Sequence, residues 1–258
     1  SSHVATDQNI MASILFVKPN AQWTYPVRRA LGFALDRKSL MSIYPGIMMP
    51  SGRYLQSRVV GATPGFEGFV YAPDRARELL KKTTITGSKK RPPLRLGVRP
   101  DRQAVAVMVA KYARAVGLTV LVHPMSAEGL AKALSESALD AILVDVNSSL
   151  IGNDPYGLMV FIRSFTHKEG RQVPPAFRKV VTQALSETDW ALRSKLYGQV
   201  ERMAFEYPEF IPLGFHTPRS PGASVIFRKQ IEGAVDSITG RVNAWMDFWP
   251  RLWLRPDR

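Results

Sequence analysis

The chain is 258 residues long, 45% apolar and 22% charged, with no cysteine and a formal net charge of +14. Length and apolar content support a sizeable hydrophobic core and exclude wholesale disorder; the missing cysteines exclude disulfides, thiol nucleophiles and zinc–thiolate sites. No apolar run approaches the ~20 residues of a membrane-spanning helix, and Ser1 is not followed by the basic and apolar leader of a signal peptide.

The positive charge fits three sources: an affinity for polyanions, an affinity for anionic small ligands or an anionic membrane surface, or a bias of the proteome or of a fragment. Its densest stretch, residues 81–102, contains Lys81, Lys82, Lys89, Lys90, Arg91, Arg95, Arg99 and Arg102. No aromatic residue interleaves there to stack on bases, as single-strand nucleic-acid binders require, so nucleic acid is not an expected partner. Gly87, Pro92 and Pro93 mark much of this stretch as solvated loop.

In chain order, the apolar run at 10–17 reads as a strand. Tyr25-Pro26 opens a helix on which Val27, Ala30, Leu31 and Ala34 recur at helical spacing. Asp36 reads as the N-cap of a short helix over 37–44, ended by Pro45-Gly46. Residues 45–72, rich in Gly, Pro and Ser, read as a long ordered loop of the kind that carries function. Ala72-Pro73-Asp74 opens a helix to Leu80, and residues 92–98 alternate as a strand. Asp101 is expected to cap a long helix to Val116, with Gly117 as its terminator. A strand at 118–122, a helix at 127–137 and a buried strand at 140–146 follow. Asp154-Pro155 starts a helix to about Phe165, where Asp154 reads as the cap. Helices are expected at 175–187 and 189–207, the second capped by Asp189 with Leu192, Leu196, Val200 and Met203 as its apolar stripe. Residues 210–215 form a strand. The tail from 225 to 253 mixes short strands and loops.

Strand, helix, strand, helix, strand over 92–146 predicts an α/β layer with a partly parallel sheet and right-handed crossovers. Ligands of such sheets sit beyond the carboxyl ends of the strands, which points to residues 147–153. The chemistry of catalysis is missing. No glycine-rich phosphate loop and no Gly-x-Ser-x-Gly elbow is present. His3, His123, His167 and His216 lack metal-ligand spacing. Asp140 and Asp145 sit five residues apart on one strand, point to opposite faces and make a poor acid/base pair. Asn147-Ser148-Ser149 fits a glycosylation sequon, a pattern common by chance. No catalytic residue, metal or cofactor is expected, and a binding module is the better reading than an enzyme.

Several segments in succession resemble one family. Residues 27–37, VRRALGFALDR, resemble the "vRqAlnyAiDR" signature of family 5 extracytoplasmic solute-binding proteins, the oligopeptide, dipeptide and nickel-binding class of ABC importers. Residues 72–80 resemble its "DpekAkeLL" helix. Residues 111–120 resemble its helix-to-strand step, and 140–155 its strand, loop and "DP". Arg193, Leu196 and Tyr197 resemble its "R-x-x-l-Y" element, and Ile211-Pro212-Leu213 its "iPL" strand. The resemblance covers about residues 10–215.

The resemblance implies a periplasmic-binding-protein type II-like α/β lobe, a mixed, partly parallel sheet flanked by helices. It implies an inter-lobe crossing segment at 1–24, the carboxy-terminal lobe at 25–210, and a return segment at 211–258 packing toward an amino-terminal lobe outside this chain; Trp245, Trp249 and Trp253 suit that packing. The partners implied are a peptide or other small-molecule ligand, gripped by hinge closure, and ABC transporter permease subunits, in a periplasmic or extracellular location, free or membrane-anchored. Peptide-binding relatives anchor the ligand's amino group on an aspartate a few residues before the proline. Here residues 150–153 hold no carboxylate, a departure from that pattern. The candidate ligand contacts are Asn147 and Ser148 beyond the strand end, Tyr54 on the long loop, Asp154 and Tyr156 at the next helix start, and His216 after the "iPL" strand. Two other readings stand beside this one: a ligand-sensing domain of a transcriptional regulator with the same fold, and a basic nucleic-acid-binding protein.

Overall fold

A computed structural model describes residues 9–17, 20–43, 48–57, 59–83, 91–148, 154–168 and 171–216. The expectations for residues 149–153 and for the tail, with its three tryptophans, lie outside them.

Six strands form one sheet: β1 (Asn9–Phe16), β2 (Met48–Pro50), β3 (Leu94–Val98), β4 (Val120–Pro124), β5 (Ala141–Ser148) and β6 (Phe210–His216), in the order β2-β6-β1-β5-β3-β4. β3 pairs parallel with β4 and β5, whereas β1 pairs antiparallel with β5 and β6, and β2 antiparallel with β6. The sheet is mixed and partly parallel, as the alternation of elements predicts. The central strands β1, β3 and β6 bury nearly every described residue on both faces, so they read as apolar runs rather than alternating ones.

Eight helices flank the sheet among the described residues: α1 (Tyr25–Ala34), α2 (Arg37–Met41), α3 (Pro73–Lys81), α4 (Gln103–Ala115), α5 (Ala127–Ser135), α6 (Tyr156–Thr166), α7 (Pro175–Ser186) and α8 (Trp190–Glu206). Local chemistry sets their ends. The Asp36 carboxylate accepts from the Lys38 and Ser39 amides and the Ser39 hydroxyl, starting α2. Asp189 accepts from the Leu192 amide at the start of α8. Gly117, at φ +88°, turns the chain after α4 so that the Leu118 amide reaches the Ala113 carbonyl.

Three expectations change. Asp101 does not cap α4: a 3₁₀ turn at Pro100–Arg102 comes first, and Asp101 pairs with Arg99 instead. The apolar stripe of α8 is rotated, because Leu192 stays half exposed while Tyr197, Val200, Ala204 and Phe205 are buried. The long loop holds a short edge strand, β2, where no strand was expected; its described residues are otherwise ordered, as expected, and tied to the core. Glu201 of α8, fully buried, takes Arg53 at 2.9 Å and the Leu55 amide at 3.0 Å. The Tyr54 hydroxyl donates to the carbonyls of Ala204 and Phe210. Gly52 and Phe69 touch backbone to backbone, and a Cβ at Gly52 would stand 2.2 Å from the Phe69 oxygen, so only glycine fits there.

One polar cluster lies inside this apolar frame. Glu209, just ahead of β6, is 5% exposed. Its Oε2 lies 3.2 Å from Arg28 of α1 and 2.7 Å from Arg171, and its Oε1 accepts from the Tyr25 hydroxyl at 2.7 Å. Further donors of the two guanidiniums go to the carbonyls of Trp23, Pro208, Phe16 and Val17, while Arg171 Nε is buried without a partner. Removing one partner of such a group leaves a buried charge uncompensated. Glu209→Gln is therefore expected to lower unfolding free energy by about 3–5 kcal/mol in a urea titration followed by circular dichroism. Glu206→Gln, which loses only the half-exposed pair with Arg29, should cost under about 1 kcal/mol. Equal losses from both would remove the distinction.

Candidate functional site

β3, β4 and β5 run parallel, and β6 runs in the same direction because both it and β5 pair antiparallel with β1. The carboxyl ends of all four strands, at Val98, Pro124, Ser148 and His216, therefore collect at one edge of the sheet. The start of β1 joins them, with Asn9 opposite Ser148, and so does the start of β2, with Met48 opposite His216. Parallel strands present the same groups at one end, which is why this edge rather than the other is the place for a ligand.

A trio of ionisable side chains, Asp145, His216 and Arg102, sits on this edge. Asp145 of β5 lies opposite Ala12 of β1, and Ala12 lies opposite Gly214 of β6. Cross-strand neighbours share a face, so only a methyl group and a hydrogen separate Asp145 from the residue two past Gly214, His216. His216 Nε2 stands 3.4 Å from Asp145 Oδ1, close enough for ionic attraction when the ring is protonated but short of hydrogen-bond geometry. Arg102, from the turn ahead of α4, brings Nη2 to 2.8 Å from Asp145 Oδ2. Burial pushes the Asp145 carboxyl up, but His216 and Arg102 together outweigh it and hold the group below the usual carboxylate range. Asp145 is thus a carboxylate at neutral pH with a third of its side chain open to solvent.

The second polar group lies where α6 begins. Asp154 does not cap that helix. The capping position is Pro155, and no side chain caps it. The Asp154 carboxylate instead reaches across to α8, with Oδ2 3.0 Å from Arg193 Nη2. Arg193 donates from Nε to the Tyr197 hydroxyl at 2.7 Å and lies over the Tyr156 and Tyr197 rings, 5.5 Å from each centroid. Burial pushes the Tyr197 hydroxyl up to about 12, so it stays protonated. Asp154 Oδ1 is buried without a hydrogen-bond partner.

Of the six residues singled out in the sequence, the structure brings Asn147, Ser148 and His216 to the shared strand edge by backbone register. Asp154 and Tyr156 meet in the Arg193 group, with Tyr156 37% exposed. Tyr54 belongs to neither. It is 1% exposed, and both its hydrogen bonds go to backbone carbonyls of the core, so it is a packing residue and the expectation that it touches ligand is corrected. Asp140 lies at the far end of β5, where Arg95 holds it through both oxygens, so it is remote from Asp145. Sequence reading missed Arg102 and Arg193. Arg193 and Tyr197 stand four apart on a helix, a spacing that signals a side-chain pair; nothing local signals Arg102, whose partner is 43 residues away. Among the described residues no group of three or more His, Asp or Glu gathers to hold a metal ion. No helix there is long and apolar enough to cross a membrane.

The sequence profile described as bacterial extracellular solute-binding proteins, family 5 middle, matches residues 18–169. No curated protein sequence matches significantly. Among solved structures, the chain is similar to the murein tripeptide binding protein MppA of Escherichia coli at 21% identity and a TM-score of 0.68, over 82% of this chain and 43% of that one. It is also similar to NikA from Brucella suis, solved in complex with Fe(III)-EDTA, at 17% identity and a TM-score of 0.65, over 82% and 46% of the two chains. A third likeness is to the periplasmic binding protein DppA from Helicobacter pylori, in complex with peptide STSA, at 15% identity and a TM-score of 0.65, over 81% and 42%. At these identities the likeness establishes the fold, and the chain spans less than half the length of each.

Asp145→Asn tests the edge trio. A carboxyl held below its unfolded pKa contributes stability that is present above the unfolded value and lost as pH falls through the folded one. The variant should therefore be less stable by about 1 kcal/mol at pH 7, a figure discounted for solvent screening. The gap should close as pH drops below about 4, read by thermal unfolding across a pH series. A gap that persists in acid would show that the side chain acts through packing rather than charge.

Proposed function

The chain belongs to the family 5 bacterial extracellular solute-binding proteins, and from that premise we propose that it is the ligand-binding lobe of a receptor delivering a peptide or similar small solute to an ABC importer. The observation that carries this reading is the gathering of four strand ends and the Asp145–Arg102–His216 group at a single sheet edge. The role is binding, and its partners are the solute, the transporter's permease subunits and a second lobe facing this edge. The location that suits such a receptor is periplasmic or extracellular.

In this reading the edge is one wall of a two-sided cleft. Asn147 and Ser148 contribute groups where β5 ends, Asp145 and His216 a charge and a ring beside them, and Asp154 and Tyr156 border it from α6. The similar structures are a tripeptide-binding protein, a complex with the peptide STSA and a complex with Fe(III)-EDTA, which sets the range of solutes worth trying. Peptides are recognised mostly through backbone hydrogen bonds, and a strand edge with a few fixed polar groups suits that. Two lobes close on a bound ligand because the closed state makes contacts on both walls that the open state lacks.

The test is a thermal-shift screen of the native, cell-derived protein against di- to tetrapeptides and metal chelates, with intact mass measured on the same sample. A receptor should have a mass near twice that of this chain. At least one solute, present at about 100 times its Kd, should add roughly 2.7 kcal/mol of apparent stability. The 258-residue chain alone should bind the same solute far more weakly, because one wall buries only part of it. Equal affinity in the isolated chain would overturn the two-walled cleft, and no stabilisation of the native protein by any of these solutes would overturn the receptor reading.

A further inference from the structure

The positive charge has a local concentration that the ligand edge does not use. α3 meets α4 only near the end of α4: Arg77 Nη2 donates to the Ala115 carbonyl at 3.3 Å, and the ring of Tyr71, just ahead of α3, meets that of Tyr112 edge to face at 5.9 Å. The outward arc of α4, opposite its buried Val105, Val109 and Ala113, carries Val107, Lys111 and Arg114, and the helix contains no acid at all. α3 adds Lys81 on its exposed side, and Lys82 follows at its C-cap. Arg75 is engaged, its guanidinium lying over the Phe33 ring 4.2 Å from the centroid. The acids of this helix, Asp74, which holds Arg77, and Glu78, are exposed on the same side. Among the described residues no carboxylate pairs with Lys81, Lys82, Lys111 or Arg114. Elsewhere the arginines are mostly engaged: Arg28, Arg29, Arg53, Arg95, Arg99, Arg102, Arg171 and Arg193 each meet an acid.

Apolar surface lies among these free cations. Val70 is 38% exposed, Tyr71 52% and Val107 52%. Unpaired cations around exposed tyrosine and valine are the chemistry of a surface that rests on an anionic lipid interface. Lysine and arginine meet headgroup phosphates there, a tyrosine ring sits at headgroup level, and small apolar side chains enter the acyl boundary. A folded polyanion would use the cations but leave the valines in water. Arg102 joins the ligand edge, and Lys111 and Arg114 follow it by 9 and 12 residues; at 1.5 Å per residue they lie roughly 13 to 18 Å further along α4. Contact at this face leaves the edge uncovered.

We propose that the surface where α3 meets the end of α4 docks the protein on an anionic phospholipid surface, through Lys81, Lys82, Lys111 and Arg114 around Val70, Tyr71 and Val107. The inference stands apart from the solute-binding reading, since vesicle binding is measured without solute.

The experiment is co-sedimentation of the full chain with vesicles of phosphatidylcholine, pure or containing about one-third phosphatidylglycerol, near 0.1 M salt. The chain should partition onto the anionic vesicles and not onto pure phosphatidylcholine. Each cation near such a surface contributes roughly a fivefold factor, so the combined variant K81E, K111E and R114E should lose at least tenfold. A control with the same change in net charge, K38E, K179E and K195E, should keep most of the binding; all six positions are exposed, and circular dichroism checks the fold. The pair Tyr71→Ser and Val107→Ser should weaken partitioning severalfold at unchanged charge. Equal losses from the two charge variants would reduce the effect to net charge and overturn the proposal. So would binding to duplex DNA, but not to vesicles, that depends on the same three cations.

Discussion

The buried carboxylate of Glu209 is the constraint on which the rest of this lobe hangs. It sits at the entrance of β6 and is, among the described residues, the only acid paired with two buried guanidiniums, Arg28 of α1 and Arg171 of the segment before α7. The group is not a source of cheap stability. Two cations and one anion leave it with a net positive charge, and desolvating three ions costs more than a simple pair returns unless every remaining donor finds an acceptor. Most do: the arginines also take the carbonyls of Trp23, Pro208, Phe16 and Val17. The Arg28 guanidinium further stacks on Phe16, 4.4 Å from its centroid. What the group supplies is position. It joins the end of β1, the first turn of α1, the approach to α7 and the start of β6 in one knot. With the start of β6 fixed there and its pairing to β1 set, its far end, His216, must arrive beside Asp145.

The same device recurs at two joints, with a different acceptor each time. Among the described residues Arg37 has no acid partner. It takes the carbonyls of Gly32 and Leu35, where α1 ends, and that of Pro212 within β6. Burial pulls its guanidinium down to about 9, so it remains charged at neutral pH. A cation at the negative end of a helix dipole is favourable, and here it also fastens that helix to the sheet. Glu201 does the reverse. It is an acid on α8 that draws in Arg53 and the Leu55 amide, so that the long connection between α2 and α3 lies flat on the core. Charged residues inside this lobe act as fasteners between elements distant in sequence, while the apolar residues supply the driving force.

This division of labour explains which features the sequence discloses. Helix and strand positions follow from the period of apolar residues and from local caps such as Asp36 and Asp189, both interactions between near neighbours. The mixed sheet was foreseeable from strand–helix alternation over 92–146. Arg28 and Arg37 fall within the signature at 27–37, so the motif was visible while the reason for its arginines was not: their partners lie 175 to 181 residues downstream. The errors have the same origin. Asp101 and Asp154 each precede a helix and look like caps, but each meets an arginine, and an ion pair can outcompete a capping bond. Tyr54 sits in a loop whose composition suggests exposure, and only the tertiary contacts with α8 and β6 reveal that its ring fills the core.

The candidate site was legible to the extent that topology determines it. Parallel strand ends must collect at one edge, so Asn147 and Ser148 could be placed from strand order alone. Asp145 could not, because alternation says which face it uses but not that Ala12 and Gly214 leave room for His216 and Arg102 to reach it. The vacancy beside Asp145 is a matter of small residues on neighbouring strands, a property of register rather than of any one segment. Because the register is pinned at the Glu209 end of β6, the polar edge at the His216 end is held in place without a ligand. In the proposed two-walled cleft, a wall preorganised in this way would spend little binding energy on its own ordering.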